Sequence, residues 1–333
     1  MELIFERLRF GSRLDLGDTQ AFYQRCRDGL LCVVGGGRGS ALSSQSVSQG
    51  IWIPLRGKLQ IAAGDANFML EAGHMYVSEP DQRVQASGRG AALWVALLAP
   101  PMSWRRALQR ASGTLVPAPV LVPAWHNADI PLRRQAVRLV RAAMRNTTHA
   151  ESLSMTDDLL ASVLELQEDF ATMLGRCPGR TLAQRYQVFL RLQRVRNLMA
   201  ASCHLDLGIP ELARMASYST WHFIRAFRTV YGETPHAYLV RQRLDRARRL
   251  VRTSTLAISE IALAIGFENR CAFSRLFKQR FGVSAADLRR AHGGGPRRVT
   301  HAGRRVAAAQ LPVPTSSATP DASTAQLATA TNS

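Results

Sequence analysis

The strongest constraint on this chain is a pattern that occurs twice. Phe223, Arg225, Phe227 and Gly232 recur as Phe273, Arg275, Phe277 and Gly282, each fifty residues on. Chance repetition of helical periodicity rarely reproduces a Phe-x-Arg-x-Phe core together with its terminal Gly. A shorter amphipathic stretch precedes each copy, marked by Glu211-Leu212-Ala213 and by Glu260-Ile261-Ala262. These steps sit one residue out of the fifty-residue register, so the second turn is one residue longer. In the second copy Ile258, Ile261, Ala262 and Ile265 share the inward face, and Gly266 can take the left-handed conformation of a tight turn between helices. The following helix buries Phe273, Leu276 and Phe277 and leaves Asn269, Arg270, Ser274, Arg275 and Lys278 on its free face. Two short helices around such a turn, the second basic on its free face, describe a helix-turn-helix. The chain carries two in tandem.

These residues resemble the AraC/XylS family of bacterial transcription regulators. The resemblance rests on A-x-x-x-G-F, F-S-R-L-F-K and F-G-V-S in the second copy. Y-S-T-W-H-F-I-R-A-F, G-E-T-P-H-A-Y-L and R-L-D-R-A support it in the first. It covers roughly residues 185–291, about a third of the chain. Two positions depart from the family pattern: Ala285 stands where Pro is usual, and Leu288 where Tyr is usual. The resemblance implies double-stranded DNA and RNA polymerase as partners, activation as the outcome, and no catalysis. It points to Trp221, Ile224 and Arg225 in the first recognition helix and to Arg270, Cys271, Ser274 and Arg275 in the second. Arg225 and Arg275 have the geometry to bond guanine O6 and N7 together, or to clamp phosphate instead. Ile224 offers only apolar contact, as with a thymine methyl. His222 suits the DNA backbone, and Lys278 suits a base edge or a phosphate. Trp221 is either a base contact or half-buried between helices.

Charge agrees with a polyanion partner. The formal net charge is +19. Residues 1–180 hold about 20 basic and 16 acidic side chains, against about 23 and 8 in 181–333, so the excess lies with the repeat. The five cysteines are scattered, with no C-x-x-C pair, which favours reduced thiols over a disulfide scaffold or zinc cluster. The first residues show no signal pattern, and no apolar run reaches about 18 residues. The expectation is a cytoplasmic protein without a membrane partner.

The N-terminal half reads as short apolar strands separated by turns, from Leu30–Val34 through Ile51–Ile53, Leu59–Ile61, Phe68–Leu70 and Met75–Val77 to Ala92–Leu98. R-G-K-L-Q-I and F-M-L-E-A-G-H-M-Y-V resemble the cupin-like sensor domain of the same family. A metal-holding cupin needs a histidine cluster. Here His74 stands alone and reads as a strand-edge surface residue, with His126 and His149 outside the barrel, so neither metal nor cofactor is expected. Trp52, Met69, Tyr76, Arg83 and Trp94 are candidate lining residues for a small-effector pocket, or ordinary core. After Pro100 the chain turns helical, with Pro117, Pro119 and Pro123 marking a linker or irregular strand. A basic amphipathic helix spans 131–145, and a helix capped by Thr156 spans 156–174. In the latter Leu159, Val163, Leu166 and Phe170 form a seam that suits either a homodimer or packing on the barrel.

The expected fold class is α+β and multidomain. It comprises an N-terminal cupin-like β-barrel sensor with helices (1–180) and a C-terminal all-α tandem helix-turn-helix domain (181–292). A disordered Ala/Thr/Ser-rich tail follows (293–333). Two other function classes compete: a non-specific DNA-binding protein, or a DNA-repair or cupin enzyme that carries the same helix-turn-helix pair. The enzymes need a zinc–cysteine set, a reactive Cys in a Pro-Cys-His setting, or a His cluster, none of which the sequence shows.

Overall fold

In the computed structural model, which describes residues 2–292 apart from 45–47, 65, 81, 115–119 and 146, the chain begins with β1 (Glu2–Leu8), β2 (Arg13–Leu16), α1 (Thr19–Arg25), β3 (Gly29–Gly36) and β4 (Ala41–Ser44). β5 (Gln49–Ala63), β6 (Ala66–Glu71), β7 (His74–Val77), β8 (Val84–Ala99), α2 (Pro101–Ser112) and β9 (Ala124–Asn127) follow. Helices complete it: α3 (Ile130–Arg145), α4 (His149–Glu165), α5 (Asp169–Gly175), α6 (Leu182–Ala201), α7 (Ile209–Met215), α8 (Thr220–Tyr231), α9 (Pro235–Thr253), α10 (Ile258–Ala264), α11 (Arg270–Phe281) and α12 (Ala285–Ala291). The expected tail from 293, and Pro117 and Pro119, lie outside the described residues.

β5 and β8 set the shape of the N-terminal half. They pair antiparallel along their whole length, with irregularities between Pro54 and Lys58. One half of this pair extends into the order β1-β3-β8-β5-β7-β9, while the other half receives β4, with β2 beyond it, and β6. Alternation along the strands then separates two cores. Leu31, Val33, Trp52, Tyr76, Trp94 and Leu98 face an interior shared with Leu42, Leu59, Ile61 and Leu70. Leu30, Cys32, Ile51, Ile53, Met75 and Leu97 face the other way, against α2, α3 and α4. Strands buried on both faces explain the unbroken apolar runs in the sequence.

The strand-edge reading of His74 is corrected. Its side chain is buried, its Nδ1 lies 3.2 Å from the Glu71 carbonyl, and its ring packs 5.2 Å from Trp125. His126 also belongs to the sheet, in β9 opposite Met75.

The expected helix 156–174 is two helices. α4 starts earlier, at Thr148, whose side chain accepts from Glu151 N while Glu151 bonds back to Thr148 N. Thr156 lies inside the helix and donates to Ser152 O. The break follows Glu165, where buried Gln167 accepts from Val122 N (2.9 Å) and donates to Val122 O (3.0 Å). The residues of the candidate seam lie inside the protomer. Leu159 and Val163 are fully buried against the sheet, Leu166 packs on the same cluster, and Phe170 enters a different one. Intramolecular packing consumes the stripe. α6 begins with a capping box between Thr181 and Gln184.

Candidate nucleic-acid interface

Each helix-turn-helix has its own core. In the first, Phe223, Phe227 and Val230 of α8 pack with Phe189, Leu192 and Tyr238, and Val122, Ala124, Phe170 and Cys177 join them. In the second, Phe273 and Phe277 of α11 pack with Leu244, Ala247, Val251 and Ile261, and among the described residues nothing before Val240 joins this core. The described residues form one compact unit by contact, and the first unit's core reaches across residue 180.

Both turns close in the same way. Tyr218 N donates to Ala213 O and Phe267 N to Ala262 O, each at 2.9 Å. The left-handed residue is Gly266 (φ 84°) in the second and Ser217 (φ 58°) in the first. From there Ser219 caps α8, whereas Glu268 intervenes before Asn269 caps α11. The extra residue of the second turn lies at this point. Asn269 Oδ1 accepts from Cys271 N and Ala272 N at 2.8 and 3.0 Å, so its oxygen is committed to the cap and only its amide nitrogen is left to donate outward. Gly232 and Gly282 end the two recognition helices with φ of 77° and 74°.

The outward faces are as the spacing requires. Trp221, His222, Ile224 and Arg225 on α8, and Arg270, Cys271, Ser274, Arg275 and Lys278 on α11, are all exposed. Trp221 is 61% exposed, with the Arg225 guanidinium 5.3 Å from its ring, so it is not half-buried between helices. Other arginines are held: Arg194 by Glu79, Arg241 by Glu233, Arg280 by Asp245. Among the described residues Arg225, Arg270, Arg275 and Lys278 take part in no ion pair. A guanidinium that is exposed and unpaired loses little when it exchanges water for a phosphate or a guanine edge.

Three contributors were not anticipated. Arg176 and Arg191 line a groove of about 910 Å³ whose other wall includes Trp221, His222 and Arg225. Arg243 on α9 donates from Nε to Cys203 O (2.7 Å), from Nη2 to Leu205 O (2.9 Å) and from Nη1 to Gly266 O (2.9 Å). One side chain thus ties the loop after α6 to the turn of the second unit. Its place beside the buried Leu244 was a readable signal, but its three acceptors come from distant parts of the chain.

The five candidate effector residues do not converge. Trp52 and Trp94 are fully buried in the packed interior. Met69 pairs with Gln60 on the opposite face of β6, and exposed Arg83 lines a shallow cleft with Gln60 and Gln85. Tyr76 alone of the five borders a cavity that faces α6 and α7.

The family described as a helix-turn-helix domain matches residues 212–291, spanning both units. The regulatory protein SoxS of Escherichia coli K12 is 35% identical over 88 residues, which are 26% of this chain and 82% of SoxS. The chain belongs to the AraC/XylS family of transcription regulators. CdhR of Pseudomonas aeruginosa is 32% identical over 149 residues, 41% of this chain and 44% of CdhR. The right origin-binding protein of Escherichia coli K12 is 36% identical over 89 residues, 26% of this chain and 31% of that protein. The chain therefore spans under half of CdhR and under a third of the origin-binding protein.

The two departures from the usual AraC/XylS pattern leave the last helix intact. Ser284 (φ −71°, ψ 156°) caps α12 ahead of Ala285 just as Thr234 (φ −74°, ψ 156°) caps α9 ahead of Pro235. Leu288 packs half-buried in the second core.

Proposed function

We propose that this AraC/XylS-family protein is a sequence-specific activator that recruits RNA polymerase, acting in the cytoplasm by binding rather than by catalysis. Residues 1–180 sense a small effector, and 181–292 read DNA through α8 and α11. The observation that carries this is the pair of unpaired guanidiniums, Arg225 and Arg275, at matching places on two recognition helices. Trp221, His222, Ile224, Arg270, Cys271, Ser274 and Lys278 surround them and complete the two contact surfaces.

Two helices fixed on one connecting helix reach bases together only from one face of a duplex, where successive major-groove segments lie about 34 Å or 10 base pairs apart. One protomer therefore protects two blocks about 10 base pairs apart. Arg225→Ala and Arg275→Ala each relax sequence preference in one block, at about 1–3 kcal/mol. Footprinting and competition binding on the DNA flanking the gene test this. Affinity lost equally on every sequence would make the arginine a phosphate clamp. Protection that ordinary competitor DNA abolishes would make the protein a non-specific coat. Inserting five base pairs between the blocks should halt simultaneous contact, and an unchanged affinity would show that one helix alone touches bases.

A further inference from the structure

A cavity of about 390 Å³ lies where the rolled sheet meets the first helix-turn-helix. Phe68, Tyr76 and Trp125, from β6, β7 and β9, wall one side with rings at steep angles: Phe68 meets Tyr76 at 5.1 Å and 80°, and Trp125 at 5.4 Å and 63°. Leu198 of α6 and Met215 of α7 wall the other. Its size, apolar walls and few polar groups, at a junction between two parts of the chain, are those of a small-molecule site.

The polar rim decides the ligand's chemistry. Two of its polar side chains, Arg194 and Asn197, are already engaged. Arg194 gives Nε and Nη2 to the two oxygens of Glu79 at 2.9 and 2.5 Å. Asn197 gives Nδ2 to Pro123 O, and its Oδ1 receives Trp125 N and Gln193 Nε2. Two acceptors are left over. Gln82 Oε1 is buried with no hydrogen-bond partner. The Glu211 carboxylate, on the first turn of α7, is in no ion pair among the described residues. A buried acceptor left unpaired carries an uncompensated desolvation cost, which an N–H donor recovers. An ammonium beside aromatic faces adds a cation–π contribution.

We propose that this cavity binds a small protonated amine with an aromatic or branched apolar body, its nitrogen donating to Gln82 Oε1 and Glu211. Resting on the sensor reading above, its occupant is the effector: it bridges the sheet to Met215, two residues before the Ser217 turn that aims α8.

Benzylamine, its isostere benzyl alcohol and the similarly sized anion benzoate are probes for the full-length protein in titration calorimetry. Benzylamine should bind at least tenfold tighter than the other two. Glu211→Gln, at an exposed position, should erase that preference without shifting the melting temperature. Met215→Trp, which fills the space, should abolish binding while the circular dichroism of the protein stays native. Equal binding of benzoate or benzyl alcohol, no binding by any probe, or benzylamine binding unchanged in Met215→Trp would overturn the site. DNA affinity with and without saturating benzylamine separates the two layers. A shift lost in Met215→Trp supports both. Binding at the cavity with DNA affinity unchanged keeps the site and refutes the effector role. A response to cell metabolites that persists in Met215→Trp refutes the site and keeps the sensor reading.

Discussion

The two helix-turn-helix units share caps, turns and aromatic pairs, yet they are anchored differently. The first shares its core with Val122, Ala124, Phe170 and Cys177 and is joined to the sheet by Arg194–Glu79 and Asn197. The second packs only on α9 and is steadied at its turn by Arg243. One repeated sequence pattern therefore gives one unit fixed to the sheet and one that hangs from a helix.

The largest expected effect separates the two cores. Phe170→Ala and Phe277→Ala each remove a buried aromatic, at about 3–5 kcal/mol. Hydrogen exchange should show Phe277→Ala loosening α10 to α12 alone, and Phe170→Ala loosening α5 to α8 together with β9. Identical loss of protection throughout would mean that the units are not separable in stability.

Acid should act on the inner side only. Burial holds His74 and His126 well below the ordinary histidine value, each at about 4, with the Arg249 charge adding to the effect at His74 and the Arg196 charge at His126. An unfolded chain takes up both protons below about pH 6.5 while the folded chain refuses them until about pH 4. Stability is therefore complete above pH 6.5 and falls as pH drops towards 4, by on the order of 3 kcal/mol for each histidine. Exchange protection in α10 to α12 should change far less over the same range. Equal acid sensitivity in both units would contradict the difference in anchoring.

Arg243 is the next test. A Lys there keeps the charge but cannot span three carbonyls with one planar fork, so Arg243→Lys should cost about 2 kcal/mol. Affinity for a two-block DNA site should fall more than affinity for either block alone. Equal losses on both would make Arg243 merely a stabiliser of the fold.

The smallest effect concerns the turns. Ser217 pays for a left-handed backbone that Gly266 adopts freely, so Ser217→Gly should stabilise the protein by about 1 kcal/mol, read as a higher urea midpoint. The reverse change, Gly266→Ser, should cost more, because a Cβ there would stand 3.0 Å from the Arg243 guanidinium. A symmetrical pair of effects would show that backbone conformation alone governs both sites.

These contrasts also mark what the sequence disclosed. Caps and glycines act within a few residues, so Thr234-Pro235, Gly232, Gly266 and Gly282 could be read directly. The Thr148–Glu151 capping box is equally local, but Thr156 ahead of two aspartates gives a competing cap signal. The stripe from Leu159 to Phe170 could not be assigned because periodicity shows that a face is buried, not what buries it. His74 and Arg243 depend on partners far away in the chain, as does β1, which pairs in parallel with β3. On the two recognition helices the exposed residues could be named in advance, since the buried Phe pairs fix the rotation of each helix.

The interior of the roll has a consequence for engineering. A Cβ at position 35 would fall 2.0 Å from the Trp94 ring, and one at position 50 would fall 2.8 Å from Trp52 Nε1. Two glycines thus make room for two indoles, which act as plugs. Truncating either indole leaves a hole that its glycine has no side chain to refill, at a cost of about 3–5 kcal/mol. Apolar holes of about 150 Å³ stay dry and admit benzene-sized guests. A chamber for a benzene-sized guest is therefore one substitution away, at Trp94 or Trp52.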